Sequence, residues 1–222
     1  MTMNSLTLEE KEIQFGLIPR IFCHIISVVL HPVFIPIYVT AFLTFIHPTA
    51  FVGFSEANKT KAVIIVALNI SIFPLISVLL LRGVGFIDSI LLKTQKDRII
   101  PYIASGIFFF WAYTVFKQQP EYTRLLPAFL LGLFLSSSGA LLVNIYQKIS
   151  MHAIGMGTAL GFFLMLARNN SMMMSGTLFF TILLTGVVCT ARLMLKSHTP
   201  TDIYLGIALG ILSEMISYGI IM

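Results

Sequence analysis

The sequence predicts an all-α protein, a polytopic transmembrane helix bundle with about six to seven spans. Hydrophobic residues make up 57% of its 222 residues and charged residues only 10%, against about 25% charged residues in a typical soluble domain. Uncharged stretches close to the ~20 residues that cross a bilayer recur along the whole chain. They leave no room for a separate soluble domain, so residues 1–222 are predicted to form a single integral membrane domain.

Apolar segments of helical length place seven candidate helices, at about 20–46, 61–82, 99–117, 124–146, 150–168, 175–195 and 201–221. The first is expected to be kinked or split, because His31-Pro32 and Pro36 remove backbone donors within it. Residues 124–168 are too long for one helix, since they would extend ~67 Å, about twice the bilayer core. A reversal is therefore expected near Gln147.

The N-terminal tail and the cysteines carry little functional signal. The tail, residues 1–19, is expected to stay in the mature protein, because the apolar stretch after it begins too late and runs too long for a cleavable signal. Cys23 and Cys189 lie in apolar segments, where a thiol usually behaves as a small hydrophobe. Neither a disulfide framework nor a thiolate metal site is expected. The formal net charge of +5 fits both anionic lipid contact and ordinary topology signals.

Counting crossings predicts that the polar connections share one membrane face. These connections are residues 83–98, 147–150 and 196–200, and two helices separate each connection from the next. The connections predicted for the other face contain no histidine except His47 and no clustered basic residues. The chemistry of the chain is therefore expected on one side. Lys and Arg counts leave the orientation of that side open, because many of these cations belong to the candidate site itself.

Near the C-terminus, Arg192-x5-His198-x3-Asp202 lies between two membrane-length apolar segments. Charged groups are costly at a membrane, so a cation, an imidazole and a carboxylate together indicate a function. Asp202 follows His198 by one helical turn and can orient its ring, which suits attack on a phosphate ester. In the structural alternative, Thr199 to Asp202 forms a capping box in which the carboxylate satisfies backbone donors. The two interpretations can coexist.

A second polar element, Lys148 to Ala153, falls at the turn between the fourth and fifth helices. Ser150 is placed to cap the fifth helix, and His152 projects from its first turn as a candidate proton donor to a leaving alkoxide. The alternative is a histidine that merely reaches the membrane interface. Its expected position on the same face as His198 favours the catalytic interpretation.

A third element, the basic stretch that contains Lys93, Lys96 and Arg98, leads into the helix predicted at 99–117. Its ammonium and guanidinium groups are candidates for neutralising phosphate oxygens. The alternative is a basic loop that binds lipid headgroups. This stretch is weak evidence on its own.

Taken together, these segments resemble the type 2 phosphatidic acid phosphatase family, whose membrane enzymes carry the motifs Lys-x6-Arg-Pro, Pro-Ser-Gly-His and Ser-Arg-x5-His-x3-Asp. The third motif aligns without a gap on Ala191 to Asp202, with alanine in place of its serine. The second aligns on Ile149-Ser150-Met151-His152, which keeps the serine and the histidine. The first, at Lys93 to Pro101, is degenerate, because its lysine and arginine are five residues apart rather than seven.

The resemblance covers about residues 82–210, a phosphatase-like core, and implies a histidine phosphatase without metal or cofactor. In that mechanism His198 is the nucleophile that forms a phosphohistidine, Asp202 orients it, and His152 acts as acid and then base. The phosphate-binding residues implied are Arg192, Arg98, Ser150 and either Lys93 or Lys96. The resemblance also implies a bacterial inner (plasma) membrane, with the site on its outer face.

The implied reaction is hydrolysis of a phosphomonoester or pyrophosphate on a lipid. Phosphatidic acid, phosphatidylglycerol phosphate, undecaprenyl pyrophosphate and lipid A all fit the motifs. The alternative is a non-catalytic lipid-phosphate binder, carrier or scramblase that uses the same basic site. The expected partners are the lipid phosphate and membrane lipids, with no nucleic acid, and the sequence gives no oligomeric state.

Two features in the middle of predicted spans have mainly structural interpretations. Gly157-x3-Gly161 and Gly206-x3-Gly210 provide small residues where helices approach closely. Glu214 lies ~18 Å along its helix from Asp202 and is therefore expected to be out of reach of the phosphate site. A transporter built on this acid ranks last, because no other span offers a similar group.

Overall fold

The computed structural model describes residues 16–90, 92, 94–169 and 171–222, and for residues 171–173 it describes the backbone. The helices are α1 (Leu17–Val29), α2 (Ile35–Ala41, continued by a π-helical turn over Phe42–Ile46), α3 (Glu56–Val66), a π-helical segment (Ala67–Ile72), α4 (Phe73–Gly83), α5 (Gln95–Lys117), α6 (Leu125–Tyr146), α7 (Met151–Asn169), α8 (Ser171–Met194) and α9 (Pro200–Ile221). No strand occurs in the described ranges, which confirms the all-α prediction. Lys93 and most of the N-terminal tail lie outside those ranges.

Six helical segments of the described chain are long and apolar enough to cross a membrane: Glu56–Gly83, Gln95–Lys117, Leu125–Tyr146, Met151–Asn169, Met174–Met194 and Pro200–Ile221. The chain is thus a multi-pass membrane protein, as predicted. The first predicted helix is split, because the chain leaves helical geometry between α1 and α2, where His31-Pro32 lies. Both pieces are shorter than a span.

Two helices begin earlier than the hydrophobic pattern predicted, because capping residues start them within polar sequence. The helix predicted at 61–82 begins at Glu56, where the Ser55 side chain accepts a hydrogen bond from a first-turn amide. The helix predicted at 99–117 begins at Gln95. Its capping box joins the Thr94 hydroxyl to the Asp97 amide at 3.1 Å and the Asp97 carboxylate to the Thr94 amide at 3.4 Å. The hydrophobic pattern places the charged first turns of these two helices in loops.

α6, α7 and α9 pack at the centre of the bundle, with α5 against α6 and α8 against α7. The mid-span glycines allow this close approach, as predicted. A Cβ atom on Gly157 would lie 2.5 Å from the Ile207 carbonyl oxygen, and one on Gly210 would lie 2.5 Å from the Thr158 amide nitrogen. Only glycine therefore fits at these crossings.

Glu214 is a buried acid at the contact of α9 with α6. It is 1% exposed, and its Oε1 has no hydrogen-bond partner among the described residues. The carboxyl group lies over Gly132, where an added Cβ would come within 2.3 Å of its carbon. One turn further along α9, the Ser217 hydroxyl donates to the Ala128 carbonyl of α6. Glu214 is thus part of the helix packing and far from the polar connections.

Gly132→Ala is expected to destabilise the protein, because the new methyl group overlaps the Glu214 carboxyl and overpacking costs about 1–3 kcal/mol. The check is the apparent Tm of the detergent-solubilised protein. Gly106→Ala is the matched control, since its Cβ would meet only Ser137 Oγ, at 3.9 Å. Glu214→Ala should recover part of the Gly132→Ala loss. An equal loss with and without the Glu214 side chain would contradict the overlap.

Candidate active site

The three polar connections meet at one end of the bundle, as the crossing count predicted. Arg98, in the first turn of α5, donates from Nη1 to the Ile149 carbonyl at 2.7 Å. The Ser150 amide donates to the Asp202 carbonyl at 3.2 Å. These two bonds tie the start of α5 and the start of α9 to the turn between α6 and α7. The three segments with the candidate motifs therefore form one site.

His198 and Asp202 lie side by side where α9 begins. His198 Nδ1 is 3.5 Å from Asp202 Oδ2, which is longer than a hydrogen bond. The same carboxylate oxygen accepts the Thr199 amide at 3.0 Å, and the Thr199 hydroxyl accepts the Asp202 amide at 3.3 Å. The capping box is therefore present, and the carboxylate also faces the imidazole. The structural interpretation of Asp202 is confirmed, and its orienting role toward His198 stays a prediction.

The other oxygen of Asp202 is held by Gln147, which the sequence had marked only as a reversal point. Gln147 Nε2 donates to Asp202 Oδ1 at 2.9 Å across 55 positions of sequence. This bond fixes the carboxylate from the α6–α7 turn, while Thr199 fixes it from α9 itself. No local pattern announces such a contact, because an amide beside a turn is common and its partner is remote in the chain.

The two arginines of the site differ in their partners. Arg98 is 5% exposed and donates to two carbonyls, those of Leu92 at 2.8 Å and Ile149 at 2.7 Å. Arg192, near the end of α8, donates from Nη1 to the Ser27 hydroxyl at 3.4 Å. Its buried Nε has no hydrogen-bond partner among the described residues. Arg98 mainly holds two loops together, whereas Arg192 keeps an N–H available for an anion.

The structure places Lys148, which was not among the predicted phosphate ligands, beside His198. A cavity of about 430 Å³ is lined by Lys148, Leu193, Lys196, Ser197, His198, Thr199, Pro200 and Asp202. Lys96 is exposed on the first turn of α5 and does not line this cavity, and Lys93 lies outside the described residues. Among the residues that are described, no three His, Cys, Asp or Glu side chains are grouped to hold a metal ion.

The surroundings of His198 favour its neutral form. Burial lowers the pKa of its imidazole to about 4, and the positive charges of Arg98, Arg192 and Lys148 act in the same direction. The carboxylate of Asp202 opposes them. Burial and the charge of Arg98 likewise lower the pKa of the Lys148 ammonium. At neutral pH His198 therefore carries a lone pair, as a nucleophile requires.

The second motif opens α7 and contacts α1. Ser150 is fully buried, and its hydroxyl accepts the Ala153 amide at 3.4 Å, which suits the predicted cap. His152 donates from Nε2 to the Ser27 carbonyl of α1 at 3.0 Å. Ser27 thus contacts both His152 and Arg192, and nothing in its sequence context predicted that α1 reaches the site.

Gln147, the second motif and the third motif all lie in the C-terminal part of the chain, from α6–α7 to α9. Residues 144–222 match the PAP2 superfamily. The match confirms the resemblance drawn from the motifs and supports phosphatase-type activity in general. The PAP2 segment begins near the end of α6, so α1 to α5 lie outside it. Searches of curated proteins and of solved structures find no match to the chain.

The His198 imidazole is expected to titrate near pH 4, well below its ordinary 6.5. Lys148→Met should raise this pKa, because it removes a positive charge that disfavours protonation. NMR of histidine-labelled protein measures both values, and the signal missing from the His198→Ala spectrum gives the assignment. Lys61→Met, near the start of the helical segment Glu56–Gly83, is the control and should leave the pKa of His198 unchanged. A wild-type value near 6.5 would contradict this account of the site.

Proposed function

We propose that the protein hydrolyses a phosphomonoester or pyrophosphate of a membrane lipid through a phosphohistidine on His198. The observation that carries the proposal is a buried imidazole that faces Asp202 and is surrounded by cations. This arrangement lies at one end of an apolar helix bundle, which is where the headgroup of a membrane lipid would meet the protein. The PAP2 match, which contains both motif histidines, supports the same chemistry.

The geometry assigns a role to each ring. Asp202 faces Nδ1 of His198, so Nε2 is the nitrogen that attacks phosphorus. The bond from phosphorus to the lipid oxygen breaks, and that oxygen takes the Nε2 proton of His152, which enters the reaction as the doubly protonated imidazolium. Neutral His152 then removes a proton from water as the water attacks the phosphohistidine. Inorganic phosphate leaves, His198 regains its lone pair, and His152 is protonated again.

The cations stabilise the negative charge on the phosphoryl oxygens. Arg192 is the direct ligand we propose, because its Nε lacks a partner in the described structure. Lys148 lines the cavity and takes the lysine role that the sequence had left between Lys93 and Lys96. Arg98 adds positive charge from behind the loops that it holds. Donors fixed in this way cost little reorganisation when charge develops.

The position of the cavity supports the proposed substrate class. The bundle carries apolar side chains on its outer surface, and the cavity lies where α8 ends and α9 begins. A headgroup of phosphatidic acid, phosphatidylglycerol phosphate, undecaprenyl pyrophosphate or lipid A reaches such a site from the bilayer. The family resemblance supports a bacterial plasma membrane with the site on its outer face.

A second candidate is a lipid-phosphate binder, carrier or scramblase without turnover. The observation that favours it is the hydrogen bond from His152 to the Ser27 carbonyl, which engages the proton that hydrolysis needs. Orthovanadate separates the two candidates. As a mimic of the pentacoordinate transition state it should inhibit a phosphatase strongly and a carrier little.

Purified, EDTA-treated protein is expected to release phosphate from at least one lipid phosphate in a mixed panel. His198→Ala should lower release about 10³-fold or more, because the nucleophile is lost. His24→Ala, an exposed histidine of α1, is the matched control and should keep the wild-type rate. An acid-labile phosphoenzyme should form in the wild type and in His24→Ala but not in His198→Ala. No release by folded protein across the panel would favour the binder.

Gln147→Ala is expected to lower kcat about tenfold, a loss of about 1.4 kcal/mol, with KM little changed. The reason is that Gln147 holds the Asp202 carboxylate and is not expected to contact substrate. Gln95→Ala is the control, since Gln95 donates to the Asn144 carbonyl near the same site and should have a smaller effect. A rise in KM with kcat unchanged would instead make Gln147 a substrate ligand.

A further inference from the structure

The C-terminal end of α1 lies directly on the candidate site. Ser27 is 7% exposed. Its carbonyl is 3.0 Å from His152 Nε2, and its hydroxyl is 3.4 Å from Arg192 Nη1. One residue of α1 therefore engages the proposed acid and the proposed phosphate ligand at the same time.

The chemistry of these bonds identifies which proton is engaged. A backbone carbonyl only accepts hydrogen bonds, so His152 carries its proton on Nε2 in this arrangement. The proposed mechanism gives a proton of His152 to the leaving oxygen and places Arg192 on a phosphoryl oxygen. The two oxygens of Ser27 thus contact the two side chains that substrate oxygens would contact in the proposed mechanism.

The residues that follow α1 also pack against α7 beside the site. The His31 ring meets the His152 ring edge-on, with centroids 5.1 Å apart. Pro32 lies against α7, where a Cβ on Gly155 would come within 3.2 Å of the Pro32 Cβ. Nearer the start of α1, Cys23 Sγ is 3.7 Å from Met194 Sδ of α8.

We propose that Ser27 marks the leaving-group side of the phosphate site, and that residues 27–31, the end of α1 and the two residues after it, withdraw from the site when a phosphate ester binds. This inference rests on the proposed function of the site. One hydrogen cannot serve the Ser27 carbonyl and a leaving oxygen equally well. The Nε2 proton of His152 is the one that the leaving oxygen needs, and the Arg192 bond to the Ser27 hydroxyl is long, at 3.4 Å. Little then holds Ser27 in place when a phosphate oxygen binds the guanidinium, so the segment withdraws.

The surface of α1 suits such a movement within the membrane. Its outward face is apolar and exposed, with Ile18, Phe22 and Ile25 each at least half exposed. The helix has 13 residues and does not span a bilayer, so it can shift without moving a transmembrane segment. The ligand expected to displace it is a phosphate monoester or pyrophosphate, brought by a lipid or free in solution.

A reversible crosslink tests whether α1 must move. Met194→Cys, with Cys189→Ala to remove the other native thiol, leaves a cysteine pair at the contact of Cys23 with residue 194. Oxidation is expected to lower phosphate release from phosphatidic acid at least about tenfold, and dithiothreitol should restore it. The same protein with Cys23→Ser is the control and should be insensitive to oxidation. Full activity with the crosslink formed would overturn the proposal.

A second measurement does not depend on turnover. The rate of disulfide formation is followed under mild oxidation with phosphatidic acid micelles, with inorganic phosphate, or with detergent alone. Withdrawal of α1 should slow the reaction about threefold or more, the effect of losing one weak contact. Slowing by both phosphates means that the phosphate group suffices, and slowing by phosphatidic acid alone means that the lipid is needed. No slowing by either refutes the withdrawal.

The two readouts separate this inference from the proposed function. Ligand-dependent slowing without any phosphate release would keep the withdrawal and refute the hydrolase. Phosphate release by the reduced protein without any slowing would keep the hydrolase and refute the withdrawal. If neither effect is observed, both proposals are refuted. Ser27→Ala adds a further check: KM should fall about threefold with kcat unchanged. A fall in kcat would instead make Ser27 a residue that positions His152 and Arg192.

Discussion

The carboxylate of Asp202 is the group on which the site depends. One of its oxygens caps α9 and faces His198, and the other accepts the Gln147 amide. Its backbone carbonyl accepts the amide of Ser150, where α7 begins. A single residue thus fixes the start of α9 against the α6–α7 turn. In the proposed mechanism the helix cap and the carboxylate that orients His198 are the same group, so the fold and the chemistry constrain each other here.

The charge balance around Asp202 explains how binding and reactivity are linked. Arg98, Arg192 and Lys148 lower the pKa of His198, and Asp202 opposes them. A phosphate ester in the cavity adds negative charge among these cations. It offsets their effect on the imidazole and so raises the basicity of the lone pair that attacks it. In the proposed reaction, His198 would therefore be neutral without ligand and a stronger nucleophile when a phosphate ester is bound.

The sequence predicted the features that depend on residues close together in the chain. It missed the contacts between residues that are far apart in the chain. Apolar length gave the spans, and one helical turn between His198 and Asp202 gave the centre of the site. The contact of Gln147 crosses 55 positions and that of Ser27 with His152 crosses 125. Neither leaves a local pattern. The early start of α5 was missed for another reason, since hydrophobicity outweighed the capping box at Thr94.

The degenerate first motif has a structural reason in this chain. Arg98 donates to the Leu92 and Ile149 carbonyls, so two of its N–H groups hold loops, and Lys148 on the α6–α7 turn lines the cavity. If Lys148 binds the phosphate as proposed, an exact spacing of lysine and arginine before α5 is not needed. The PAP2 segment, residues 144–222, then contains every group assigned to proton transfer and nucleophilic attack. Arg98 of α5 and Ser27 of α1, which support the site in the two proposals, both lie outside that segment.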